Sequence, residues 1–300
     1  MKLLPVPIII AVAALVSLFQ DPTQRSPQSK SPAPTEVEQE LSEVAKDYKE
    51  GKFAEAQQHA ERAVLLDPAN RTAAIYLARV THQRYKPGVD TPENLEFAQS
   101  AIAAYQRVLT LDPLNEEPYK AVAVLYASTH QDELLKEWIR QRALDPRFSN
   151  EKRAEAYAVL AGKYRDCSFK FTERPPQKHT EIQRGKATVT YRMPADRTDF
   201  ERAKQCVTTG LDLVAMALEL DHDSESAWSN KTNLLLEAAK LAQMEGMDPA
   251  KANYEKEAKE ASIQAGKMTE KRRRAEESAE SEPSPSPSPS PDAPRQMLNE

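Results

Sequence analysis

The sequence predicts an all-α protein in which helical hairpins stack side by side into an α-solenoid. Only 7 of the 300 residues are Gly, too few for the turns of a β sandwich or barrel. The chain has 22 Pro, but only ten of them lie between Thr35 and Glu282, so the middle of the chain is free to form long helices. Within that middle part, the phrase Leu-Asp-Pro recurs where amphipathic stretches end. These observations favour repeated pairs of helices.

The first twenty residues have the pattern of an export signal. Lys2 precedes an uncharged and mostly apolar stretch over residues 3–19, which matches the positive start and apolar core of such signals. No Ala-x-Ala motif precedes Asp21, so residues 1–20 predict either a cleaved signal peptide or a signal anchor in the membrane. Residues 21–34 are rich in Pro, Ser and Gln, a composition typical of a disordered linker.

A first helical hairpin follows the linker. Thr35 and Glu38 have the spacing of a capping box, in which a hydroxyl and a carboxylate bond the free amides at a helix start. The segment Gly51-Lys52-Phe53 interrupts this helix, and a second apolar stripe then runs to Asp67-Pro68. Because the residue before Pro avoids helical geometry, the second helix is expected to end there.

The end of this hairpin is a phrase that recurs along the chain. Leu66-Asp67-Pro68 is echoed by Leu111-Asp112-Pro113, by Leu144-Asp145-Pro146 and, in degenerate form, by Leu220-Asp221-His222. One spacing is close to 34 residues as it stands, and the others reach about 34 when two insertions are set aside. A period of this length with two helices per unit is typical of an α-solenoid.

The first copy resembles the tetratricopeptide repeat (TPR). Its pattern is Gly51-x-Phe53-x-x-Ala56, followed by Ala60, Ala63 and the stretch 66–70. The resemblance implies a right-handed superhelix of helix-turn-helix units over residues 35–247, with copies at about 37–70, 71–115, 116–148, 154–223 and 225–247. It also implies that the first helix of each unit lines a concave groove, which in this family binds an extended peptide or a helix of a partner.

Two insertions interrupt the repeat. In residues 86–96, Thr91-Pro92 predicts the start of a helix, with Thr91 as the N-cap. In residues 167–199, Phe169-x-Phe171 and Val189-x-Tyr191 alternate with polar residues around a turn-rich loop, which predicts a small β-hairpin. A second capping box over 198–201 predicts that a long helix starts directly after this insertion.

A capping helix over residues 248–279 is expected to close the array. Its apolar residues recur at steps of three and four up to Met268, and a polar outer face suits the last element of a solenoid. The basic run 271–274 is flanked by glutamates, so we expect it to pair with them in solvent. Residues 280–300 alternate Ser and Pro and predict an extended, disordered tail.

The sequence carries no sign of catalytic chemistry. A net charge of −5 gives no overall basic field for nucleic acid. The five histidines do not pair with one another or with a cysteine at metal-ligand spacing, and no phosphate-binding or hydrolase motif is present. We therefore predict a protein that is not an enzyme, has no catalytic, metal-binding or cofactor-binding residues, and binds no nucleic acid.

Cys167 and Cys206 are the only cysteines of the chain. An even number in an exported protein permits one disulfide between them. It would join the start of the second insertion to the long helix that follows. The alternative is a pair of buried free thiols.

The resemblance to TPR proteins also predicts where a partner binds. Matching the copies places five polar side chains on the concave face, namely Tyr48, Arg79, His82, Lys120 and Arg165. Leu41 and Ala45 stand where a carboxylate clamp would need Lys and Asn, which disfavours a chaperone terminus as the ligand.

The predicted function is a non-catalytic scaffold of the bacterial cell envelope, periplasmic or anchored to the inner membrane through residues 3–19. Its partner would be a protein segment of unknown identity, held in the groove. One alternative is an envelope assembly or secretion accessory protein that contacts its partner through residues 167–199. Another is an accessory protein that binds a small molecule or glycan, although the aromatic content of 6% disfavours it.

Overall fold

The computed structural model describes residues 35–183 and 185–281. The expected export signal, the linker over 21–34 and the tail from 282 onwards lie outside this part of the chain. The described residues form ten α helices and one two-stranded antiparallel sheet. The helices are α1 (Glu36–Lys49), α2 (Phe53–Leu66), α3 (Arg71–Arg84), α4 (Pro92–Leu111), α5 (Glu116–Ser128), α6 (Asp132–Leu144), α7 (Asn150–Thr172), α8 (Arg197–Leu220), α9 (Glu225–Met244) and α10 (Asp248–Ser281), and the strands are β1 (Lys178–Gln183) and β2 (Lys186–Tyr191).

The helices pack as a linear array of hairpins. Each helix contacts its neighbours in sequence, and α1 with α3 and α7 with α9 make the further contacts between successive units. This is the all-α, TPR-like solenoid that the sequence predicts. We call the first helix of each unit the A helix (α1, α3, α5, α7 and α9) and the second the B helix. The last B helix, α10, runs to Ser281, slightly beyond its predicted end.

The recurring phrase Leu-Asp-Pro-x-Asn builds the turn between units. The carboxylate of Asp67 accepts a hydrogen bond from the Ala69 amide at 3.1 Å, which closes the turn. Asn70 is the N-cap of α3, and its side chain accepts from the Ala73 amide at 3.0 Å. The predicted capping box also forms, since Thr35 and Glu38 each bond the other's backbone amide. Short polar side chains thus cap the starts of α1, α3, α4, α5, α7, α8 and α9, whereas α2 and α6 start without a side-chain cap.

Small side chains allow the paired helices to approach closely. Ala56, Ala60 and Ala63 of α2 are completely buried. In α8, Gly210 faces the fully buried Leu234 of α9, and a Cβ at position 210 would lie 2.6 Å from Leu234 Cδ2. The alanine-rich stripes are therefore packing surfaces, as their spacing indicates.

The prediction that Phe169 and Phe171 lie in a strand is wrong, because α7 continues through both residues to Thr172. On the extended helix, Ser168 and Thr172 are four residues apart and both donate to Glu237 of α9, at 3.1 and 2.9 Å. Phe171 packs against the buried cluster of α8 and α9 that contains Phe200. These long-range contacts stabilise an extra helical turn that local alternation does not predict.

The β-hairpin itself is confirmed. β1 pairs antiparallel with β2, and Val189 and Tyr191 lie on β2 as predicted. Gly185, just before β2, has φ = +78°, a left-handed conformation that favours Gly. The first strand therefore starts later than expected, after Pro175 and Pro176 have ended α7.

The predicted cap of α8 is also corrected. Its N-cap is Asp196, whose carboxylate accepts from the Thr198 amide at 2.8 Å, and α8 starts at Arg197. Thr198 and Glu201 therefore lie inside the helix and form no capping box. A carboxylate accepts a hydrogen bond more strongly than a hydroxyl, so the earlier residue takes the capping position.

A candidate binding groove between A helices

A cavity of about 440 Å³ lies between the A helices α5 and α7, with α6 beneath it. Two of its apolar side chains reach solvent, since Val124 is 58% exposed and Val159 is 43% exposed. An exposed valine on each of two facing helices gives the groove an apolar wall on either side. The apolar lining comprises Ala123, Val124, Ala127, Leu135, Ile139, Ala156 and Val159. We call this surface the α5–α7 groove.

Charged side chains surround this apolar lining. Lys120 on α5 and Lys163 on α7 both line the α5–α7 groove. Neither ammonium group makes a hydrogen bond or an ion pair with any other described residue. Glu155 also lines the groove, while the carboxylate of Glu116 is taken up by neighbouring cations. Two unpaired lysines against one unpaired glutamate leave the groove with a net positive charge.

Arg142 of α6 holds the walls of the groove in place. Its side chain is only 5% exposed and donates to both carboxylate oxygens of Glu116, at 2.6 and 2.8 Å. Its guanidinium carbon lies 4.1 Å from the ring centre of Tyr119 and 4.4 Å from that of Phe148. Lys152 of α7 pairs with the same Glu116. Burial alone would raise the pKa of Glu116, but the bonds from Lys152 and Arg142 outweigh it and lower the pKa. This carboxylate stays charged and joins α5, α6 and α7.

A second cavity lies at the next pair of A helices, α7 and α9. It measures about 380 Å³, and Arg165, Phe169, Leu236 and Lys240 are among its lining residues. Phe169 and Leu236 are both exposed. Arg165 bonds the neighbouring Asp166 at 2.5 Å, so its charge is largely compensated. Apolar side chains with adjoining cations therefore occur at two successive steps of the array.

The predicted groove residues divide between these two cavities and other parts of the array. Lys120 lines the α5–α7 groove and Arg165 lines the second cavity. Arg79 of α3 lines neither of them and forms two hydrogen bonds of 2.6 Å with Glu117 of α5. The hydroxyl of Tyr48 accepts from Gln83 at 3.0 Å, which joins α1 to α3.

His82 packs against the B helix of its own unit. Its Nδ1 lies 3.2 Å from the hydroxyl of Tyr105, and the two rings meet edge to face. Burial lowers the pKa of His82, so the imidazole is neutral near neutral pH. The structure thus uses this histidine for packing between α3 and α4.

Sequence reasoning missed Lys163 and Val159. Their four-residue spacing puts them on one face of α7, and the same face of α5 carries Lys120 and Val124 with the same spacing and residue types. A comparison of these two A helices could have found the pair. The uneven repeat length around residues 149–154 hides the alignment of α5 with α7.

In the ranges 35–183 and 185–281, no group of three or more His, Cys, Asp or Glu side chains could hold a metal ion. Over the same ranges, no helix is long and apolar enough to span a membrane.

No protein-family model matches the sequence, and no curated protein matches it. Solved structures are similar in fold. The crystal structure of MamA is 13% identical, over 84% of this chain and 98% of that one, with a TM-score of 0.39. PilF of Pseudomonas aeruginosa is 11% identical, over 79% and 97% of the two chains, with a TM-score of 0.34. YrrB, described as a TPR protein with an unusual peptide-binding site, is 11% identical over 72% and 90%, with a TM-score of 0.34.

Proposed function

We propose that this protein is a non-catalytic scaffold that binds a segment of a partner protein in the α5–α7 groove. The observation that carries the proposal is the combination of solvent-exposed valines with two lysines that have no partner among the described residues. Exposed apolar side chains beside unpaired charges are typical of a surface that another protein covers.

The groove favours a partner segment that is both apolar and acidic. Burying Val124 and Val159 would contribute about 25 cal/mol for each Å² of apolar surface removed from water. Carboxylates of the partner would meet Lys120 and Lys163, and such pairs at the edge of an interface increase specificity and association rate more than affinity. A longer segment could also reach the second cavity, where Phe169 and Leu236 are exposed.

Export to the bacterial cell envelope is part of the same proposal. The apolar stretch over residues 3–19 after Lys2 supports it from the sequence. The disulfide between Cys167 and Cys206 is compatible with it, because disulfides persist in oxidising compartments such as the periplasm. A scaffold in that compartment would present its groove to other envelope proteins.

Site-specific photo-crosslinking in the source organism tests the groove. We would place the crosslinker at Val124 and Val159, and at Met216 as a control, which is comparably exposed but lies on the B helix α8. We expect one protein to crosslink to both groove positions and not to position 216. Equal products at all three positions, or none in the groove, would contradict the proposal.

Reversing the charge of the groove gives a second test. The double variant K120E/K163E is expected to reduce that crosslink strongly, because carboxylates of the partner would then face two glutamates. The matched control is K256E/K259E on α10, where two exposed lysines lie away from the groove. An equal loss in both double variants would mean that overall charge, rather than the α5–α7 groove, determines binding.

A further inference from the structure

The β-hairpin is firmly held at its base. Lys240 of α9 bonds both Glu173 and Glu237 at 2.5 Å. The hydroxyl of Tyr191 donates to Glu173 at 3.0 Å. Tyr191 and Met193 pack against the buried cluster that contains Phe200. An isolated two-stranded hairpin is marginally stable in water, so these contacts fix its position and direction.

The other end of the hairpin projects from this base. β2 packs on α9, whereas no helix in the described part of the chain packs comparably on β1. Ile182 is 75% exposed and Val189 is 41% exposed. The fold thus fixes the base of an element whose two largest aliphatic side chains lie in solvent. A rigidly positioned projection of this kind is typical of a binding element.

The register shows which backbone groups of β1 are free. The Arg192 amide donates to the Gln177 carbonyl at 2.8 Å. Opposite residues alternate between bonded and non-bonded pairs in an antiparallel ladder. Thr180 with Val189 and Ile182 with Ala187 are therefore non-bonded pairs. The amide and carbonyl groups of Thr180 and Ile182 consequently point away from β2.

Beyond the outward Lys178, the part of this outer edge of β1 that is nearest the tip lacks the usual protection against pairing. Exposed edges are commonly blocked by Pro, by a bulge or by a charged side chain at the outward positions. The register of β1 and β2 runs without a bulge, and neither strand contains Pro. The outward positions of β1 nearest the tip are Thr180 and Ile182, which are uncharged and β-branched. The edge is therefore a suitable template for one more strand.

The charge of the hairpin indicates which strand would fit. Residues 173–192 carry five Lys or Arg against two Glu, in a chain whose net charge is −5. Of these cations, Lys178 pairs with Glu173 and Arg174 with Asp199, while the guanidinium of the exposed Arg192 has no partner among the described residues. The hairpin thus attracts acidic groups locally. A wide anionic membrane surface would repel the rest of this acidic chain, so a narrow acidic ligand is favoured.

We propose that the outer edge of β1 binds an acidic, extended segment of a partner protein as a third strand. Main-chain hydrogen bonds from Thr180 and Ile182 provide the pairing, and the basic residues of the hairpin select acidic segments. This binding is separate from the α5–α7 groove, and either surface functions without the other.

Amide hydrogen exchange with a synthetic peptide tests this inference. The probe is a ten-residue peptide of alternating Val and Glu, and its charge control replaces each Glu with Lys. With the acidic peptide, we expect the amides of Thr180 and Ile182 to exchange at least about tenfold more slowly, since each gains a hydrogen bond. The basic peptide should leave them unchanged. Equal protection by both peptides, or none at millimolar acidic peptide, would overturn the proposal.

Two substitutions of Ile182 distinguish main-chain pairing with the peptide from contacts of the Ile182 side chain. I182P removes an outward amide and keeps the inward ladder, while I182T keeps the amide and removes most of the apolar side chain. We expect I182P to lose the protection at Thr180, and I182T to retain it. The Thr190 amide, which bonds β1, must stay slow in both variants as evidence of an intact hairpin. The proposal is wrong if the acidic peptide still slows exchange of the Thr180 amide in I182P. It is also wrong if vesicles of phosphatidylglycerol slow exchange of the Thr180 and Ile182 amides more than the peptide does.

Discussion

At the scale of single residues, Gly210 shows how closely α8 and α9 pack. A methyl group at this position would lie 2.6 Å from Leu234 Cδ2 and 3.0 Å from Cδ1, and Leu234 is fully buried. We expect G210A to lower the free energy of unfolding by about 1–3 kcal/mol, because overpacking outweighs the gain in helix propensity. Urea unfolding followed by circular dichroism measures the change.

The control for this prediction is G266A on α10. No atom lies within 4 Å of a Cβ built at Gly266, so this substitution should stabilise the protein by up to about 1 kcal/mol through helix propensity. If both substitutions stabilise the protein, the close approach at Gly210 is not a constraint.

Individual caps show what sequence can and cannot predict at this scale. Thr35 and Thr91 were predictable because a cap and its partner lie within three residues of each other. The cap of α8 is also local, but two overlapping candidates, Asp196 and Thr198, compete there. Whether Lys120 and Lys163 have ion-pair partners depends on all of their neighbours in space, and the sequence alone does not reveal those neighbours.

At the scale of elements, a buried polar cluster joins α7 to α9. Glu237 is 3% exposed and accepts from Ser168, Thr172 and Lys240. We expect E237A to cost about 3 kcal/mol of stability, because it leaves the partly buried ammonium of Lys240 with one carboxylate fewer and two buried hydroxyls without their acceptor. Thermal unfolding measures the loss. E260A, at an exposed glutamate of α10, should change stability little, and a similar loss there would contradict this explanation.

The base of the hairpin should depend on pH in a defined direction. Burial alone would raise the pKa of Glu173, but hydrogen bonds from Lys178, Lys240 and Tyr191 outweigh it and lower the pKa to about 2. Because the folded pKa lies below the unfolded value of about 4.3, the stabilisation is fully present above pH ~4.3 and is lost as pH falls towards ~2.

The measurement compares the wild type with E173Q between pH 6 and 2. The wild type should be more stable at the upper end of this range, and the difference should shrink below pH ~4 as Glu173 takes up its proton. A difference that stays constant down to pH 2 would mean that the carboxylate contributes nothing through its charge.

The extension of α7 shows why elements are harder to predict than caps. Phe169 and Phe171 alternate with polar residues as strand residues do, and three residues of alternation fit a helix equally well. The contacts that decide for helix come from Glu237 and from the buried cluster of α8 and α9, which are far away in sequence. By contrast, the second strand at Val189 and Tyr191 and the turns at Leu-Asp-Pro are built from adjacent residues, and local pattern predicted them.

At the scale of the whole molecule, stability should vary along the array. Helices contact only their near neighbours, so opening can begin at an end and stop part-way. Helices α1 and α2 pack mainly on each other and on α3, whereas α7 packs on α6, α8 and α9. We expect amide exchange to be faster in α1 and α2 than in α7 and α8. Uniform protection over all helices would contradict a linear array and would require one cooperative unit.

The disulfide between Cys167 and Cys206 should stabilise one part of this array rather than all of it. It joins α7 to α8 across a sequence separation of 39 residues, and restricting the unfolded chain over such a loop contributes about 3–4 kcal/mol on the entropic model. Because coupling passes mainly between neighbours, reduction should speed amide exchange in α7 and α8 and leave α1 to α4 unchanged. The double variant C167A/C206A should behave as the reduced protein does.

Alkylation followed by mass spectrometry must first show that the native protein has no free thiol, since two free thiols would remove the constraint from which this difference in exchange rates is derived. If reduction speeds exchange equally in α1 and α8, the units are coupled over the whole chain and the linear description fails.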